Sequence, residues 1–152
     1  MTGLLIEAEK AGIEVLEDAR IGRLKGLYID NIIVLNSNLE TEKEKRCILC
    51  EELGHHFTSY GNILDQTKIE NRKQERRARA WAYEKLISPD TIIKAYEHGV
   101  QNRFELAEFL NVTEEFVQDA ISYYKTKYWP YYRKGEYCII FDPLNVIKKE
   151  AI

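Results

Sequence analysis

The residues able to do chemistry are concentrated in Cys47-Ile48-Leu49-Cys50-Glu51-Glu52-Leu53-Gly54-His55-His56-Phe57. Two carboxylates precede two imidazoles in a segment that is otherwise apolar or small. On a helix, residues four apart lie one above the other, so Glu51 stands beside His55 and Glu52 beside His56. A carboxylate and an imidazole one turn apart can ligate a divalent cation, while the neighbouring carboxylate takes up a proton.

The helical pattern His-Glu-x-x-His sets two zinc ligands one turn apart, with the Glu as general base. Glu51-Glu52-Leu53-Gly54-His55 fits that window in its last four positions, with Glu51 where the first His would stand. A carboxylate also ligates zinc. The other register, Glu52 with His56, leaves Leu53 where the base should be and is the weaker fit. A lone Glu-x-x-His also occurs on solvated helix faces, so the window alone leaves both readings open. Cys47-x-x-Cys50 falls in the same helix with no second Cys pair, and reads as helix packing rather than a redox or zinc motif.

Several elements must position this segment. Thr41 with Glu44 is a capping box that starts the helix near Glu42, and Gly61 is its natural stop. Leu49, Leu53, Phe57 and Tyr60 form one apolar face. Upstream, Gly3 to Lys10 reads as a short amphipathic helix and Ile13 to Leu16 as a strand. The β-rich runs Gly26–Ile29 and Ile32–Leu35 flank Asp30-Asn31, two residues that tolerate the positive φ of a hairpin turn. Downstream, a loop over 60–68 leads to a long helix from about Ile69 to Ile87. Its first turns are heavily charged, the pattern of a solvated face. Its core stripe is Ala78, Trp81, Ala82 and Leu86, and extending that stripe backwards places Glu75 on the inward side. An inward carboxylate needs a partner. Arg79 is one candidate, and a cation held by the preceding helix is the other.

Ser88-Pro89 opens a helix to about His98, which Gly99 ends. His98 sits in the last turn, where the helix dipole favours a cation. Phe104–Leu110 and Thr113–Tyr124 have helix-turn-helix spacing. Glu114, Glu115 and Asp119 would repel phosphates from the second helix, so the pair reads as a structural or partner-binding unit rather than a DNA reader. Tyr123 to Tyr137 interleaves aromatic and basic residues, which suits stacking on single-stranded nucleic acid or a β-hairpin. The Lys134-Gly135 turn and a returning strand, Tyr137 to Phe141, stopped by Asp142-Pro143, favour the hairpin.

A chain of 152 residues suits one domain with a sizeable core. Its net charge of −3 excludes a general attraction to nucleic acid or anionic membrane. No apolar run approaches a membrane span, and the N-terminus lacks a basic-then-apolar signal pattern. Three cysteines without a disulfide framework point to the reducing cytoplasm.

Three signals in this order resemble the ImmA/IrrE family of metallopeptidases, found in phages and mobile elements. They are Gly26-Leu27-Tyr28-Ile29-Asp30-Asn31, then Glu51-Glu52-Leu53-Gly54-His55, then Glu75-Arg76-Arg77-Ala78-Arg79-Ala80-Trp81-Ala82 with Leu86 and Pro89. The resemblance covers roughly Leu4 to Pro89. It implies an α+β, zincin-like core over 1–89: a helix, a short three-stranded sheet, the active-site helix and a third-ligand helix. Residues 90–152 would add the helical pair and a terminal β-hairpin, packed on the core as one compact unit. Carried over by position, Glu51, His55 and Glu75 become the metal ligands and Glu52 the general base. Zinc is the implied cofactor. Two carboxylates with one imidazole neutralise more of the metal's charge than the family's two imidazoles with one carboxylate, so a manganese-tolerant or emptied site is also compatible. The implied activity is cleavage of a phage or mobile-element helix-turn-helix repressor in the host bacterial cytoplasm, by metal-activated water. The alternative is a catalytically impaired antirepressor that acts by protein–protein binding. Neither reading calls for a membrane or for direct DNA binding.

Overall fold

A computed structural model describes residues 1–59 and 68–149. The fold is α+β and divides into two units, Met1–Ala82 and Tyr83–Ile152.

The first unit opens with α1 (Thr2–Lys10), which buries Leu4 and Ala8 and packs on β1 (Glu14–Glu17). Strands β2 (Gly26–Ile29) and β3 (Ile32–Leu35) have the bounds that β-propensity predicts. Asp30 and Asn31 between them take φ of 44° and 63°, the left-handed pair that a two-residue hairpin requires. The sheet order is β1-β3-β2, with β1 parallel and β2 antiparallel to the central β3. Ile33 and Leu35 point into the core, as the period of two along a strand demands. The buried Asn36 pins the chain that leads into β2. Its amide donates to the Gly22 and Leu24 carbonyls at 3.0 and 2.9 Å, and its oxygen accepts from the Asn38 amide at 2.9 Å.

Helix α2 (Glu42–Thr58) starts where the capping box places it: Thr41 Oγ1 accepts from the Glu44 amide at 3.1 Å. It packs on β2 and β3 through a side that includes the buried Leu49 and Leu53. Phe57, expected on the same apolar face, is instead 38% exposed and stacks on Trp81. Tyr60, Gly61 and the loop expected after them lie outside the described residues, as far as residue 67. Helix α3 (Lys68–Leu86) follows, with Ala78, Ala82 and Leu86 buried.

In the second unit, Ser88 caps α4 (Pro89–Glu97) and Pro89 takes its first turn, as expected. His98 Nδ1 bonds to the Lys94 carbonyl at 2.8 Å, and the chain leaves the helix through Gly99 at φ 90°. Helices α5 (Arg103–Leu110) and α6 (Glu114–Lys127) pack together, joined through Asn111 in the left-handed region. Helix α6 runs to Lys127, three residues past the expected end at Tyr124, because Tyr124 is core rather than boundary. The expected terminal hairpin, β4 (Tyr132–Lys134) with β5 (Tyr137–Phe141), forms and gains a third strand, β6 (Leu144–Lys148). Asp142-Pro143 is thus a turn into β6 rather than the end of the sheet. Part of the aromatic tail packs inward: Tyr124 is buried, and Tyr128 stacks on it and on Phe141, whereas Trp129 and Tyr131 are exposed. No helix among the described residues is long and apolar enough to cross a membrane.

Candidate active site

The site begins with how closely two backbones approach. A Cβ on Gly54 of α2 would stand 2.3 Å from the Ala78 carbonyl oxygen of α3, and 3.0 Å from the Ala78 Cα. Only a glycine permits that approach. One turn earlier on α2, Cys50 Sγ lies 3.9 Å from the Ala82 carbonyl. Small residues at i and i+4 on both helices therefore form the crossing.

The crossing delivers two side chains to one point. His55 follows Gly54, Glu75 precedes Ala78 by less than a turn, and His55 Nε2 meets Glu75 Oε1 at 3.1 Å. The stripe gives the side of α3 on which Glu75 meets His55, but the side chain is 51% exposed rather than buried. Ala78 is the first buried residue among those of α3 whose burial is described, and Glu75 meets His55 less than a turn before it. Its hydrogen bond with His55 lowers its pKa, aided by the charges of His55 and Arg79. The same bond raises the His55 pKa against the opposing effect of burial. Arg79 contributes charge, yet the partner in contact is His55.

Glu52 occupies a different environment. Desolvation pushes its pKa up to about 7; the His55 charge opposes this, and those of Glu75 and Glu51 add to it. A carboxyl group with a pKa near neutrality is suited to taking and giving protons there. A Cβ on Gly26 would meet Glu52 Oε1 and Cγ at 3.1 Å and Ile48 Cγ2 at 2.6 Å. The first residue of β2 is thus a surface against which the Glu52 carboxylate lies. The motif pattern assigns neither Gly26 nor Gly54 a role, although a glycine inside a strand or helix signals close backbone approach.

His56 belongs elsewhere. Its Nδ1 lies 2.7 Å from the Tyr28 hydroxyl, and the two rings meet edge to face at 5.5 Å. The groups that perturb Glu52 are His55, Glu75 and Glu51, so the register built on His55 is the one that gathers charge. Cys47 and Cys50 are buried thiols, not disulfide partners.

The donor set can be tested against a metal. Ligand atoms about 2.0–2.2 Å from a tetrahedral ion stand about 3.3 Å from each other. The separation of 3.1 Å between His55 Nε2 and Glu75 Oε1 fits two adjacent ligands of one ion. Glu51 is close enough for its charge to act on His55 and Glu52. Among the described residues, however, no group of three His, Cys, Asp or Glu side chains is arranged to hold a metal. The structure brings His55 and Glu75 into contact, with Glu52 and Glu51 both near enough for their charges to act on His55.

Comparison with known proteins bears on this geometry. Residues 8–122 match the peptidase M78 model described as the IrrE N-terminal-like domain. No curated protein and no solved structure matches the chain. The match covers well over half of the sequence and runs past Pro89 through α4, α5 and most of α6, so the C-terminal helices are part of the family pattern. With both helices of the crossing inside it, the chain belongs to the peptidase M78 family, the ImmA/IrrE metallopeptidases.

Proposed function

We propose that this chain is a cytoplasmic, metal-dependent endopeptidase of a phage or mobile element, and that it cleaves a helix-turn-helix repressor. The observation that carries the reading is the 3.1 Å approach of His55 to Glu75 across two helices, with the desolvated Glu52 beside them. In this reading Glu51, His55 and Glu75 hold zinc, or manganese given two carboxylates among three donors. A bound cation would supply Lewis acidity toward the scissile carbonyl and the attacking water. Glu52 takes the water's proton and passes it to the leaving amine, its carboxylate lying against the backbone at Gly26. Among the described residues strand β2 is an edge of its sheet, the position at which an extended substrate would pair by its backbone.

A second reading, a binding antirepressor without chemistry, draws on the lack of a three-donor group among the described residues. Co-expression with a candidate helix-turn-helix repressor separates the two. Repressor fragments with the native chain and intact repressor with Glu52→Gln establish the peptidase. Intact repressor held in a complex, with derepression preserved in Glu52→Gln, establishes the binding module.

A further inference from the structure

Helix α3 carries an unusual charge pattern beside this site. Between Asn71 and Ala80 it holds Arg72, Lys73, Arg76, Arg77 and Arg79, all exposed, against the single acid Glu75. The chain as a whole has a net charge of −3, so this stretch locally reverses its sign. At about 100° per residue, Arg79, Arg72 and Arg76 lie about 40°, 60° and 100° round from Glu75, all on one flank. Lys73 and Arg77 fall on the back of the helix. Among the described residues, neither Arg72 nor Arg76 has an ion-pair or hydrogen-bond partner. Like charges one turn apart repel, and the one acid in this stretch, Glu75, is engaged with His55.

We propose that the Arg72–Arg76–Arg79 ridge docks an acidic stretch of the substrate polypeptide, next to the bond to be cut. The proposal rests on the peptidase reading for what passes the site, and on the ridge for its chemistry. Guanidinium groups pair with carboxylates bidentately. Residues one turn apart on a helix are spaced about 6 Å, close to the ~6.7 Å between alternate residues of an extended chain. Aspartate or glutamate at every second position therefore matches the ridge, which spans about 10 Å. Duplex DNA would extend far past it, over a unit whose exposed surface mixes acids such as Glu14, Asp30 and Glu40 with bases such as Lys10, Arg23 and Lys25. A short acidic peptide needs only the ridge.

The test uses the whole chain and fluorescence anisotropy at low salt. The probes are a labelled extended peptide with glutamate at alternate positions, the same peptide with glutamine there, and a short DNA duplex. The glutamate peptide should bind about tenfold or more tighter than its glutamine counterpart. Arg72→Gln/Arg76→Gln should remove most of that advantage, and Lys73→Gln/Arg77→Gln, the same charge change on the back of the helix, should leave it intact. Equal binding of the two peptides, tighter binding of the duplex through the same arginines, or equal loss in both double variants overturns the proposal. Comparing the two peptides on the native chain keeps the test decisive if a variant fails to fold. Binding is read without turnover. Docking by a chain that cuts no repressor leaves the ridge standing and rejects the peptidase, while cleavage without docking does the reverse.

Discussion

Gly54 and Ala78 touch so closely that a methyl group on Gly54 would lie 2.3 Å from the Ala78 carbonyl oxygen. That contact sets the distance between α2 and α3, and with it the meeting of His55 and Glu75. Two effects of Gly54→Ala oppose each other. Helix propensity favours alanine by up to about 1 kcal/mol. Overpacking costs about 1–3 kcal/mol and more where the obstacle is backbone, which cannot rotate aside. The clash should win, giving a net loss of about 2 kcal/mol in urea unfolding and a weaker metal affinity. A variant more stable than the native chain would reject the close crossing.

Gly26 makes the corresponding contact with Glu52. Gly26→Ala should displace the carboxylate and lower repressor cleavage about tenfold or more while metal content holds. Glu52→Gln, which removes the base itself, should cost about 10²–10⁴-fold. Because a Cβ at Gly26 also meets Ile48 Cγ2, the double variant Gly26→Ala/Ile48→Ala isolates the Glu52 contact. Full recovery of cleavage in the double variant would assign the effect to Ile48 and leave Glu52 without a positioning partner.

The role of Glu51 is open to direct measurement. His55→Ala and Glu75→Ala should each abolish bound metal in elemental analysis of gently purified protein. Glu51→His should raise zinc affinity and its preference over manganese, because imidazole is the softer donor. Unchanged affinity in that variant would remove Glu51 from the ligand set and strengthen the binding-module reading.

What the sequence made legible follows from the range of the forces involved. The caps at Thr41 and Ser88, the Asp30-Asn31 hairpin and the bounds of β2 and β3 are decided within a few residues, and local chemistry specifies them. Glu75 illustrates the limit. A helical stripe predicts its side of α3 but not its exposure, which depends on where α2 crosses. That crossing depends on Gly54, and a glycine within a helix signals a close approach without saying which backbone it meets. Strand β6 escaped for a related reason. Pro143 reads as a terminator, whereas at a turn between antiparallel strands its missing amide leaves no ladder bond unmade.

The His55–Glu75 pair also predicts how metal-free protein responds to pH. The folded His55 pKa is raised above 6.5 by Glu75, so its contribution to stability is complete below that value and is lost as pH rises through the raised pKa. The folded Glu75 pKa is lowered below 4.5, so its share is present above that value and is lost as pH falls through the lowered pKa. After chelation, the melting-temperature gap between the native chain and Glu75→Gln should therefore be widest between about pH 4.5 and 6.5 and close on either side. The gap should be small, since half the Glu75 side chain is exposed and pairs of that kind are worth about 0–1 kcal/mol. NMR titration of the imidazole gives the sharper readout, with the His55 midpoint dropping in Glu75→Gln. Metal reverses the trend, because a ligating imidazole must be deprotonated and binding strengthens as pH rises. A His55 midpoint indifferent to Glu75→Gln would mean that the two side chains do not meet in solution.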